Sequence, residues 1–130
     1  MRLPNWPRLL DEYVDAARLQ PFGWGALDCC TFAAGAVRVI TGRVVPLPAW
    51  SCRRDAVDVL RRLGGLRAAA DRHLGDMQPA PAARRGDVLL LHQQGRDLLA
   101  VCLGHAWAAP ARYGLAFGPA HEALGAWGID

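Results

Sequence analysis

The sequence predicts an α+β domain, with N-terminal helices packed on a C-terminal antiparallel sheet. Three observations carry this. Apolar residues recur at helical spacing through the first 74 positions. A linker at 77–83, containing Pro79 and Pro81, then interrupts the pattern. Beyond it come short apolar runs separated by glycine-containing turns, the signature of strands. A chain of 130 residues, 52% hydrophobic and 21% charged, is long enough for one core and too apolar for disorder, so a single domain over 1–130 is expected.

The elements follow in order. Residues 7–19 form a first helix, with Pro7 in its first turn and Leu9, Leu10, Tyr13, Val14 and Ala17 on its apolar face. Gln20-Pro21 ends it and leads into the turn 22–28. A central helix starts after Asp28, an N-cap residue, and closes at Gly42; Phe32, Ala33, Ala36, Val37 and Ile40 nearly encircle it, which predicts burial. Pro46 and Pro48 make 44–50 an extended connection. Ser51 is a candidate cap for a third helix to Leu63, with Ala56, Val59, Leu60 and Leu63 inward, and a short fourth helix covers 66–74. Residues 86–92 and 97–103 form a hairpin about the turn 93–96, and further strands are expected at 106–109, 114–117 and 126–129, continuing as a meander.

Composition excludes several function classes. No apolar run reaches membrane-span length, and Met1-Arg2-Leu3-Pro4-Asn5-Trp6 is not a secretory leader, so cytoplasmic synthesis is expected. All fifteen basic residues are arginine, but the pairs Arg53-Arg54, Arg61-Arg62 and Arg84-Arg85 are dispersed and the net charge is only +3, a poor fit to nucleic acid. The four cysteines (29, 30, 52 and 102) show no CxxC spacing, and Cys29 and Cys30 are expected to point apart on a helix. No metal site and no cofactor are expected.

The stretch 22–32, Phe-Gly-Trp-Gly-Ala-Leu-Asp-Cys-Cys-Thr-Phe, carries the candidate chemistry. It places Cys29 at the first position of the central helix, where free N–H groups and the helix dipole favour a thiolate. That is the setting of a nucleophile; a cysteine in an Ala-rich helix equally reads as a small buried hydrophobe, and Asp28 beside it opposes ionisation. Trp24 and Trp107 read either as cleft residues that stack on a ligand or as core anchors whose N–H groups find carbonyls.

These features together resemble the NlpC/P60 superfamily of papain-like cysteine peptidases, and in particular a small phage branch found with tail genes. The likeness rests on Pro21-Phe22-Gly23-Trp24-Gly25 before Asp28-Cys29-Cys30-Thr31-Phe32, on Arg85-Gly86-Asp87-Val88-Leu89-Leu90, and on Ala100-Val101-Cys102-Leu103-Gly104. It runs from Trp6 to Trp127. The resemblance implies that Cys29 holds the nucleophile's place, but it puts Leu98 where the catalytic histidine belongs and Ala108 or Ala109 where the third polar residue belongs. A hydrocarbon cannot take a proton from a thiol. Four histidines remain as substitutes: His92 ends the preceding strand near Leu98, His105 lies beyond the strand's far end, roughly 20 Å away, and His73 and His121 belong to a helix and a C-terminal loop.

What the resemblance implies about function is a structural component of a phage tail tip or tail-assembly complex, made in the host cytoplasm and carried in the virion. Its partners would be other tail proteins, of the hub or distal tail, and its peptidase site would be impaired. The alternative is an active peptidoglycan endopeptidase delivered by the tail, with Cys29 attacking and host peptidoglycan as substrate.

Overall fold

The computed structural model describes residues 1–130. Four helices come first: α1 (Trp6–Ala17), α2 (Cys29–Thr41), α3 (Arg53–Arg62) and α4 (Leu66–Leu74). Five strands follow: β1 (Val88–Gln93), β2 (Arg96–Cys102), β3 (Ala106–Pro110), β4 (Leu115–Pro119) and β5 (Gly125–Trp127). The protein is therefore α+β, with all strand pairs antiparallel. No helix is long and apolar enough to cross a membrane.

Local sequence explains most boundaries. Helix α1 stops two residues before the expected end, because Leu19 is 88% exposed and has nothing to pack against. Helix α2 starts at Cys29 with a reciprocal cap: Thr31 N–H donates to Asp28 Oδ1 at 2.9 Å, and Asp28 N–H donates to Thr31 Oγ1 at 2.8 Å. It buries Cys30, Phe32, Ala33, Ala36, Val37 and Ile40, while Arg38 stays exposed. Cys52, rather than the expected Ser51, occupies the N-cap of α3, and the Ser51 hydroxyl sits 3.4 Å from Asp55 Oδ2. Gln94 and Gly95 both take positive φ, which gives the tight two-residue turn joining β1 to β2.

The sheet order is β4-β3-β2-β1-β5. The first four strands form the expected meander, but β5 does not extend it: it returns to the free edge of β1, pairing Val88 with Trp127. Asp87 explains the return. Its buried carboxylate accepts hydrogen bonds from Ile129 N–H at 3.0 Å, from Arg84 N–H at 2.8 Å and from Arg2 Nη2 at 2.8 Å. Arg2 also donates to the carbonyls of Arg85 and Ile129, so one buried ion pair ties both chain ends to β1.

Strand alternation divides the interior. Val88, Leu90, Leu99, Val101 and Ala108 pack on the helices, against Leu10, Phe32, Ala36 and Val37. Leu89, Leu91, Ala100, Cys102, Trp107 and Ala109 face the other way, together with alanines of two 3-10 turns, Ala80–Ala82 and Ala120–Glu122. Trp107 is thus a core residue remote from Cys29, and its indole N–H has no partner, contrary to the expectation that it would find a carbonyl.

Candidate functional site

The turn before α2 needs glycine for two reasons. Gly25 has φ +78°, and a Cβ there would lie 2.2 Å from the carbonyl oxygen of Trp50. That close approach brings the 44–50 connection onto the turn, where Asp28 holds both. The Asp28 carboxylate is only 1% exposed. It accepts from Gly25 N–H at 2.8 Å and Trp50 Nε1 at 2.7 Å through Oδ2, and from Thr31 N–H through Oδ1. Asp28 is therefore a structural clamp that fixes where the helix, and hence Cys29, begins.

Cys29 is half-buried and opens into a cleft of about 600 Å³. One bank is α3, with Arg53, Val57, Leu60 and Arg61; the other is Trp24 and the start of β2, with Arg96, Asp97 and Leu98. The Cys30 thiol hydrogen-bonds to Cys29, which lowers the Cys29 pKa; burial and the Asp28 charge oppose this, but backbone hydrogen bonds from Leu99 and from Cys29 itself assist, and the net shift is downward. The same contact, with burial, pushes the Cys30 thiol up. Both cysteines border the cleft instead of facing opposite ways on the helix. Burial also raises Cys102, whose Sγ lies 3.4 Å from the Gly104 carbonyl.

No histidine lines the cleft, and Leu98 does. His92 pairs with Asp97 across the hairpin, with Nδ1 2.8 Å from Asp97 Oδ1, so it contacts a cleft residue while remaining outside. His105 and His121 border a separate shallow depression with Ala80 and Ala120, and His73 lines an apolar pocket among α2, α3 and α4. Ala108 is buried against Val101, and Ala109 faces the second core. Cys29 therefore has a favourable setting for a thiolate and no imidazole within the cleft.

Residues 1–129 match a family described as Domain of unknown function (DUF6950). The chain belongs to the DUF6950 family. No curated protein and no solved structure matches it. Within this DUF6950 domain, sequence reading missed Trp50, whose indole N–H completes the Asp28 clamp, and the arginines of α3 as cleft residues. Trp50 follows a Pro-rich connection with no periodicity, so nothing local marked it; Arg53 and Arg61 share one face of α3 two turns apart, but what that face borders is set by how the helix packs. Trp24, left open from sequence, packs edge-on against Phe22 at 4.9 Å and also borders the cleft. The apolar pocket, of about 60 Å³, adjoins the cleft through Cys30, Trp50, Leu60 and Leu66.

Proposed function

We propose that this domain is an NlpC/P60-like module retained as a structural component of a phage tail tip or tail-assembly complex, with its peptidase site disabled. One observation supports the loss of activity above the others: the cleft that holds the Cys29 thiol is bordered by Leu98 and by no histidine. Acyl transfer from a peptide needs a base to free the thiolate and an acid to protonate the leaving amine, and the cleft holds no imidazole to serve as both. The association with tails rests on the likeness of the Cys29 turn and of the Gly86-Asp87 and Val101–Gly104 strands to the phage branch of that superfamily.

The rival reading, a tail-borne peptidoglycan endopeptidase, draws on the lowered Cys29 pKa and its place at a helix start, where backbone N–H groups could hold an oxyanion. One pair of measurements separates them. The proposal expects purified protein to leave peptidoglycan peptides intact and Cys29→Ala phage to assemble and infect normally. Turnover of those peptides that vanishes in Cys29→Ala refutes it.

A further inference from the structure

The cleft around Cys29 carries a charge imbalance. Arg53, Arg61 and Arg96 line it, all are exposed, and none makes a side-chain hydrogen bond or an ion pair. Only two carboxylates share the cleft. Asp28 is buried and bonded to three donors, and Asp97 is engaged with His92. An anionic occupant is therefore favoured over a neutral or cationic one.

The arrangement on α3 is more specific than charge alone. Arg53, Val57 and Arg61 follow one another at single-turn intervals, so the two arginines leave the helix about 12 Å apart along its axis with an apolar residue midway. Val57 is 42% exposed and has Leu60 beside it on the cleft wall. An extended peptide rises about 3.3 Å per residue, so its residues i, i+2 and i+4 share one face and span about 13 Å. The match is one to one: carboxylate, apolar side chain and carboxylate at alternate positions meet Arg53, Val57 and Arg61.

We infer that the cleft is a docking groove for an extended acidic segment of a partner protein, of the pattern acidic-x-apolar-x-acidic, laid along α3 over Cys29. This rests on the module reading of the site, since the bound segment occupies the position a substrate would take.

The test uses the full-length protein and a blocked peptide containing Glu-Ser-Leu-Ser-Glu. The expected result is saturable binding that slows alkylation of Cys29 and weakens at high salt. A Gln-Ser-Leu-Ser-Gln counterpart should bind at least about tenfold more weakly, and Arg53→Gln or Arg61→Gln should each cost about fivefold, the upper range for an exposed ion pair. All three positions of the α3 stripe are exposed, so these variants are expected to fold, and circular dichroism checks it. The inference is overturned by absence of binding at about 1 mM peptide (a contact worth only about 4 kcal/mol), by equal binding of the glutamine peptide, or by equal binding of a peptide with the two acids eight residues apart. Equal binding of a short single-stranded oligonucleotide overturns it too, because it would show a site for any polyanion. Hydrolysis of peptidoglycan peptides, scored separately, bears on the proposed function and leaves these binding results unaffected.

Discussion

Asp28 and Trp50, twenty-two positions apart, are joined by a 2.7 Å hydrogen bond from the indole Nε1 to Oδ2, both groups being buried. The bond fastens the Pro-rich connection to the start of the helix that carries Cys29. Its removal leaves buried donors without an acceptor, which costs more than the bond's own net value. Asp28→Asn is expected to lower stability by about 2 kcal/mol, read as a shift in the urea midpoint, and to alter the rate of Cys29 alkylation because the helix start is no longer fixed. Trp50→Phe should cost more than Trp107→Phe, since the Trp107 N–H has no partner to lose. Equal losses at the two tryptophans would show that the Asp28 bond contributes little.

The Cys29 thiol should ionise below the ordinary value of 9.0. The rate of alkylation by iodoacetamide against pH is expected to show a midpoint under that value, and Cys30→Ala should raise it by removing the neighbouring thiol donor. The sign of the stability effect follows. A thiol whose folded pKa is depressed stabilises the fold above its unfolded pKa and loses that contribution as pH falls through the folded value. A midpoint at or above 9.0 in the parent protein would contradict the geometry of the thiol pair.

The fold was largely legible because its signals are local. Helical periodicity, Asp28 as a cap, Gly42 as a stop and the two-residue turn at Gln94-Gly95 each act within a few residues. What escaped the sequence acts over long separations. The return of β5 to β1 depends on Asp87 bonding to Arg2 and to Ile129, at opposite ends of the chain. Trp50 was hidden for the same reason. The site was legible in part: Cys29 and Leu98 do share one cleft, but that α3 forms its opposite bank, with Arg53 and Arg61 inward, depends on how the helix packs and not on its own pattern.

Tyr13 gives a prediction at alkaline pH. Its hydroxyl donates to the Phe32 carbonyl at 2.9 Å, and its ring stacks on Phe32. Gly35 leaves room for it, because a Cβ there would fall 2.1 Å from the Tyr13 hydroxyl. Burial raises the phenol from 10.0 to about 12. A raised pKa means that the neutral form stabilises the fold fully below pH 10 and that this contribution is lost as pH climbs from 10 towards 12. Tyr13→Phe should flatten that loss while costing about 1 kcal/mol at neutral pH through the missing hydrogen bond. Gly35→Ala should destabilise at every pH, since the added methyl displaces the ring. An alkaline unfolding profile identical in the parent and Tyr13→Phe would place the titrating group elsewhere.

Leu98→His asks whether the missing base is the only thing the cleft lacks. Leu98 borders the cleft at the start of β2, but its side chain packs with Ala100 and Cys102 on the core away from the helices, so an imidazole there is turned from the thiol. The alkylation midpoint of Cys29 should therefore stay at the parent value, and hydrolysis of peptidoglycan peptides should stay absent. A catalytic imidazole must be held in one tautomer and orientation by a third polar group, and the positions that would supply it are Ala108, buried against Val101, and Ala109, turned to the opposite core. Members of such a triad act as a unit, so restoring one without the other recovers little of the rate. An unchanged midpoint with no turnover fits that orientation of residue 98. Turnover restored by Leu98→His alone would mean that the scaffold is otherwise competent and that a single substitution disabled it.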